Sequence, residues 1–437
     1  MAPRKSLSSF SMRLLIIVAS IGAGLVLIAT WAEYAEWPIP FTGQLAWRKA
    51  SHSSKNNATS SSIEQLALQK VLQDASPIFG RYENVQNGTA TWMAKYPDDT
   101  KIVHMNIPGT HDAATWHYTR ETQRRMQHIT HLVNDGLDEI DPDHYRCQDK
   151  SMLDMLNAGI RAFDLRYASD ITNTTIVFWH GPALQSQTAT VEDVLFGFYR
   201  WLDDHPTEAL FLSFQYEPAA ALGNVNSIDE QLMLYQALTT PAAKKYILQT
   251  RGQFGTLGEA RSRITLLRRF DLDLDLVPPA YETSIPGVHF SPREWTRNGA
   301  NITLRYNDSN TISSDDNTAY IQDYYRPVTP ANSTLEENID AKLDATITHL
   351  RMAASSSHPD ALFWGFASCT NTGHELPKTP RALALGTSET KDRGVNDRLE
   401  EYLERAKVKG SRLGIVMFDF FAVPEGLVET LLGVRAP

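Results

Sequence analysis

Gly159-Ile160-Arg161-Ala162-Phe163-Asp164-Leu165-Arg166 is a short apolar run of strand type that finishes in an arginine. The residues before it, 151–158, space their apolar side chains as a helix does. The same alternation recurs on both sides. Strand-like runs lie at 102–107, 160–165, 176–179, 209–214, 264–267, 362–366 and 413–418, with helical spacing at 191–203, 228–238 and 396–406. Strands alternating with helices predict a parallel sheet, and the length suits one α/β barrel of TIM type. No eighth strand stands out, so the barrel is expected to be distorted or incompletely closed. Residues 301–317, with two glycosylation triplets and a Ser-Ser-Asp-Asp run, read as a surface loop within it. No internal repeat is visible.

The chemically capable residues collect where these runs end. His111 follows the first run in Asn106-Ile107-Pro108-Gly109-Thr110-His111-Asp112. Arg166 ends the second, and His180 ends the third in Val177-Phe178-Trp179-His180-Gly181-Pro182. Gln215 and Glu217 follow the fourth, Arg269 the fifth, and Asp419 ends the last. Active sites of such barrels lie at the C-terminal ends of the strands. Two imidazoles can act as base and acid near neutral pH, and a guanidinium can meet two phosphate oxygens at once. That set suits in-line attack on a phosphodiester.

These motifs in this order resemble the X-domain of phosphatidylinositol-specific phospholipases C. The resemblance continues through Leu212-Ser213-Phe214-Gln215-Tyr216-Glu217, Leu266-Leu267-Arg268-Arg269-Phe270, Gln322-Asp323-Tyr324-Tyr325 and Val416-Met417-Phe418-Asp419, covering roughly residues 95 to 430. It implies a barrel fold and two-histidine catalysis on an inositol phospholipid or glycolipid-anchor headgroup. His111 would be the base that takes the inositol 2-hydroxyl proton, and Asp419 the carboxylate that orients it. His180 would be the acid that protonates the departing diacylglycerol oxygen, with Asp112 supporting it. Arg166 would hold the phosphate. Gln215, Glu217, Arg269, Asp323 and Tyr325 (or Tyr324) would contact the headgroup. Calcium-dependent members carry a second acidic ligand where this chain has Arg166. The resemblance is therefore to the metal-independent bacterial type, with no cofactor. Bacterial members usually have lysine at the position of Gln215.

Other readings stand beside this one. A lone histidine in an apolar strand is usually structural, Asp419 can cap a turn, and Arg166 can pair with Asp164 or Asp112. A catalytically weak or inactive cell-surface binding protein on the same barrel is the alternative function. A metal-dependent glycerophosphodiesterase would need a His-Arg pair after the first strand and a Glu-x-Asp pair, and these motifs contain neither. His104, His117, His128, His131, His144 and His205 read as surface or core residues.

The formal net charge of -10 argues against nucleic acid as a partner. Arg4, Lys5 and Arg13 precede an uncharged stretch, 14–32, and Glu33 and Glu36 follow it. That stretch reads as a signal anchor with a cytoplasmic N-terminus and an extracytoplasmic body. A cleaved signal peptide ending at Thr30-Trp31-Ala32, giving a secreted protein, is the alternative. Trp31, Tyr34 and Trp37 then form an interface belt. Residues 33–75 read as a stalk and 76–437 as the barrel, with globular patterning starting near Ile63. Triplets at Asn57, Asn87, Asn173, Asn301, Asn307 and Asn332 support an exported body. Cys147 and Cys369 form either one disulfide or two buried thiols.

Overall fold

A computed structural model describes residues 62–130, 140–220, 225–306, 317–372, 378–388, 392–405 and 410–433. The strands are β1 (Ile107–Thr110), β2 (Ala162–Ser169), β3 (Ile176–His180), β4 (Ala183–Leu184), β5 (Ala209–Tyr216), β6 (Arg263–Arg269), β7 (Val288–His289), β8 (Ile302–Arg305), β9 (Thr318–Gln322), β10 (Leu362–Phe366), β11 (Gly386–Thr387), β12 (Asp392–Arg393) and β13 (Ile415–Phe418). The main sheet runs β7-β6-β5-β2-β1-β13-β10-β9-β8, and every neighbour is parallel except β8 on β9. Eight parallel strands thus follow chain order around a ring that β13 closes onto β1. Among the described residues β7 and β9 do not pair, so the TIM-type barrel is open along one seam.

Two of the eight strands escaped the sequence reading. β7 is two residues long, and β9 reads Thr-Ala-Tyr-Ile-Gln, without a continuous apolar run. Conversely, the run at 176–179 is not a barrel strand. β3 is antiparallel to β2, with Tyr167 opposite Phe178 and Ser169 opposite Ile176. The run at 102–107 is a 3-10 turn, Ile102–His104, and the strand begins only at Ile107. Part of the expected loop at 301–317 is strand as well. In β8, Ile302 and Leu304 are buried while Thr303 and Arg305 are exposed, the period-two signature of a half-buried strand.

The strands read as nearly unbroken apolar runs because helices cover their outer face. The helix Val191–Asp204 buries Val191, Val194, Leu195, Phe198, Trp201 and Leu202, a stripe at helical spacing. Thr190 caps its first turn, and Asp193 returns the bond to the cap. Inside, Gly109 has no room for a side chain: a Cβ there would collide with the Met417 sulfur and lie 2.9 Å from the Ala162 Cβ. At the N-terminal end of the barrel Arg161 and Glu208 form a fully buried ion pair at 2.7 Å. Arg161 also donates to the Leu156, Ile160 and Ala90 carbonyls, so its charge is satisfied without water.

The helix Ile63–Phe79 occupies residues 63–75 of the expected stalk, because its last turn buries Ala75, Ile78 and Phe79 against the core. The expected span at 14–32 lies outside the described residues. Among the described helices none is long and apolar enough to cross a membrane. Asn87, Asn173, Asn301 and Asn332 are exposed, while Asn57 and Asn307 lie outside the described residues. Both cysteines are buried free thiols, which decides between the two readings of that pair.

Candidate active site

Register explains why the site assembles. Thr110 of β1 pairs with Phe418 of β13, so the next residues, His111 and Asp419, emerge side by side. The His111 amide donates to the Phe418 carbonyl, and its ring Nδ1 lies 2.9 Å from Asp419 Oδ1. On the other side Arg166, Gln215 and Arg269 form one register row across β2, β5 and β6. His180 arrives differently from the expectation of three successive parallel strands. β2 extends beyond the mouth of the barrel and β3 turns back along it, which returns His180 to the level of the other groups. Gly181, with φ of 53°, makes the tight turn that follows.

The ring nitrogens have distinct partners. Asp419 only accepts, so Nδ1 of His111 carries the proton. Its Nε2 lies 2.8 Å from an Arg166 Nη2 group, which can only donate, so Nε2 keeps its lone pair. In His180, Nδ1 lies 2.9 Å from the Tyr145 carbonyl oxygen and Nε2 lies 3.2 Å from Asp112 Oδ2. The carbonyl only accepts, so Nδ1 of His180 carries a proton, and Nε2 faces the Asp112 carboxylate. Asp112 Oδ2 also lies 3.4 Å from Nε2 of His111, placing one carboxylate oxygen between the two rings. Asp112 is held in the left-handed region at φ of 43°, as is Phe420 next to Asp419 at 47°, a strained conformation for residues other than glycine.

Electrostatics follows from burial and charge together. Burial disfavours a charged ring at His111, but Asp419 and Asp112 outweigh it and hold the ring above its ordinary value. Burial raises the Asp419 carboxyl, and His111 offsets only part of that. Burial also works to raise Asp164, yet Arg166 and Arg269 hold it below the usual carboxylate range. Arg166 reaches Asp112 at 3.2 Å, Asp164 at 3.3 Å and Glu217 at 3.8 Å. Arg269 reaches Asp164 at 3.6 Å and Asp323 at 3.5 Å, and it stacks on Trp295 with its guanidinium carbon 3.8 Å from the ring centre.

A cavity of about 1020 Å³ opens over these groups. His111, Arg166, His180, Gln215, Glu217, Arg269, Asp323, Tyr325 and Asp419 line it, and buried Asp112 stands behind them. Tyr325 faces the cavity, whereas the Tyr324 hydroxyl accepts from the Val328 amide. His144, read from sequence as surface or core, also lines it. His111, Asp112 and Cys147 place ligand atoms within 4.8 Å of one another. They fit a divalent ion poorly. Arg166 occupies the His111 lone pair and one edge of Asp112, and burial keeps the Cys147 thiol well above its ordinary value, hence neutral.

Comparison with known proteins places the fold. No family model matches the chain. The phosphatidylinositol-specific phospholipase C of Staphylococcus aureus superposes with a TM-score of 0.59 over 80% of this chain and 97% of that one, at 18% identity. The fold is that of the bacterial phosphatidylinositol-specific phospholipases C. The Listeria monocytogenes enzyme agrees, with a TM-score of 0.52 over 80% of this chain and 99% of that one, at 22% identity. By sequence the chain is 31% identical over 133 residues to the PI-PLC X domain-containing protein 1 of Danio rerio, spanning 28% of this chain and 42% of that protein. The chain thus spans less than half of that relative's length, and 58% of its Homo sapiens counterpart.

Beside these phospholipases, several groups of the cavity were not legible in the motifs. Tyr145 holds His180 through a backbone carbonyl, which any residue type supplies. Trp295 bonds Asp323 at 2.8 Å and stacks on Arg269, yet it sits in an irregular segment. The Trp–Arg stack has no local sequence signature.

Proposed function

We propose that the protein is a phosphodiesterase that cleaves a phosphatidylinositol-type lipid into diacylglycerol and inositol cyclic phosphate. The observation that carries this reading is the placing of two histidines about one carboxylate: Arg166 donates toward Nε2 of His111, whose Nδ1 faces Asp419, and His180 stands on the other side of Asp112. A phosphate entering the cavity competes for Arg166 and draws it off Nε2 of His111. The base then takes the proton of the inositol 2-hydroxyl as its oxygen bonds to phosphorus. The bond from phosphorus to the glycerol oxygen breaks, and His180 gives that oxygen its Nε2 proton. Arg166 balances the charge building on the phosphate oxygens. Asp112, between the rings, steadies whichever one is charged.

Gln215, Glu217, Arg269, Asp323 and Tyr325 are the headgroup contacts in this reading. The reaction proceeds without a metal, because the Arg166 guanidinium supplies the fixed positive charge. The body works at a membrane, held there by residues 14–32 with the N-terminus cytoplasmic, and the exposed Asn87, Asn173, Asn301 and Asn332 support glycosylation on the far side. The test is turnover of phosphatidylinositol vesicles with and without chelator, following the cyclic phosphate by phosphorus NMR. Headgroup binding without turnover would favour the inactive cell-surface reading instead.

A further inference from the structure

β1 and β13 stop at Thr110 and Phe418, so His111 and Asp419, the next residues, have already left the strands. One backbone bond remains there, from the His111 amide to the Phe418 carbonyl at 3.0 Å. Both chains then turn through the left-handed region, at Asp112 and at Phe420. The 2.9 Å contact of Nδ1 with Asp419 Oδ1 thus depends on two residues at strand ends, each followed by a strained one. A group outside the ladder has to hold them.

That group is Gln148, fully buried in an irregular stretch ahead of the helix Met152–Asn157. Its side-chain nitrogen donates to the His111 carbonyl at 2.8 Å and to the Phe418 carbonyl at 2.8 Å. Carbonyls only accept, so the amide nitrogen faces them and both of its protons are used. The side chain makes one further rung between the two chains where the ladder has ended. Its oxygen has no donor among the described residues. A buried acceptor left alone costs stability, so packing gives no reason for an amide at this position.

The neighbours of Gln148 brace the same groups. The Cys147 carbonyl accepts from the Phe420 amide at 2.9 Å. The Cys147 amide donates to the Thr115 hydroxyl at 2.9 Å, which donates in turn to the Asp112 carbonyl at 2.8 Å. The Tyr145 carbonyl lies on Nδ1 of His180. Residues 145–148 therefore reach both histidines and both left-handed turns.

We infer that Gln148 is a positioning residue for the base: its amide fixes the His111 backbone against that of Phe418 and so sets the aim of the ring at Asp419. The inference rests on the role proposed above for His111. Gln148 is neutral, so replacing it changes none of the groups that face that ring. These are Asp419, Asp112, Asp164 at 4.0 Å, Arg166 and the neutral Cys147 thiol, with the His180 ring centre 6.2 Å away. A His111 titration that moves in such a variant reports geometry.

The variant is Gln148→Met, of similar length and without a donor. In the full chain with isotope-labelled histidine, the His111 NMR signal is identified by its loss in His111→Ala. In Gln148→Met it should titrate at lower pH than in the wild type, because a looser contact with Asp419 favours the charged ring less. On phosphatidylinositol vesicles kcat should fall on the order of tenfold with KM within about twofold. In Asp419→Asn, where the contact is already lost, adding Gln148→Met should cost less than about twofold, whereas a residue that only supports the fold would multiply the two losses. A folded methionine variant with the His111 titration unmoved, or with the losses fully multiplied, overturns the inference. Gln148→Asn, which draws the amide back by one methylene, takes the same measurements if the methionine variant does not fold; failure of both to fold makes Gln148 a structural residue and overturns the inference too. If the wild type leaves phosphatidylinositol uncleaved while the titration moves, the positioning stands and the phosphodiesterase reading falls. Wild-type turnover with an unmoved titration in the variant does the reverse.

Discussion

Asp419→Asn changes one oxygen to nitrogen and little else in shape. The carboxylate lies 2.9 Å from Nδ1 of His111 and is the main group raising that ring against the effect of burial. Removing an opposite charge at this range disfavours the protonated ring, so the His111 titration falls. The amide does further harm through geometry. If its NH₂ turns toward Nδ1, the His111 proton must move to Nε2, where it confronts the donor of Arg166 at 2.8 Å. The base would then have no free lone pair toward substrate. A fall in kcat of about 10²- to 10⁴-fold is expected, the range for loss of general base action.

The pH profile separates this cause from general damage. As a base His111 must be unprotonated, so kcat/KM rises with pH through its titration. Removing Asp419 lowers that titration, so the residual activity of the variant should reach its plateau at lower pH than the wild type. Vesicle hydrolysis between pH 4 and 9, with thermal unfolding run alongside, measures both effects. A folded variant that keeps turnover within twofold, with its acidic limb unmoved, would refute the orienting role.

His111→Ala and His180→Ala should each cut turnover by about 10² to 10⁴ while leaving the melting curve intact; near-normal rates in either folded variant remove that histidine from the mechanism. Chelator should leave the wild type unchanged, and Arg166→Asp should be inactive, with slight calcium rescue if the new acid and Asp164 form a site; calcium-dependent wild-type activity would make Arg166 a structural partner only. Glu208→Gln should destabilise the fold by about 3–5 kcal/mol in denaturant melts, because it strips the partner from fully buried Arg161, yet leave KM unchanged in the surviving folded protein. Material from its own host should shift on a gel after glycosidase treatment, and unchanged mobility would count against an exported body.

How much of this was legible in the sequence depends on how far each signal travels along the chain. Runs such as Leu362-Phe363-Trp364-Gly365-Phe366 are buried on both faces, so composition alone reveals the strand. β7 and β9 border the open seam, where a strand is shortened or mixes polar residues into its run, and periodicity fades there. His111 and Asp419 are 308 positions apart, and only the register of β1 against β13 brings them together. Motif likeness found that pair, whereas no local rule would have. The direction of β3 was misjudged for a related reason. A run of apolar residues has no polarity, and the hairpin with β2 is set by the turn between them.

The charge balance of the site bears on how the two histidines divide the work in the proposed mechanism. Five carboxylates, Asp112, Asp164, Glu217, Asp323 and Asp419, surround two arginines, Arg166 and Arg269. That excess of negative charge is what holds the His111 ring above its ordinary value against burial. Asp112 stands close to both rings, 3.4 Å from His111 and 3.2 Å from His180. Arg166 sets the two rings apart: its donor lies on Nε2 of His111 and opposes protonation there, against the larger effect of Asp419 and Asp112, and it makes no such contact with His180 among the described residues. The proposed mechanism uses that asymmetry, with His111 as base and His180 as acid. A phosphate that recruits Arg166 removes the obstacle on His111 at the moment its basicity is needed. In the proposed mechanism the arginine is therefore both the phosphate clamp and the group that opposes a proton on the base until a phosphate is bound.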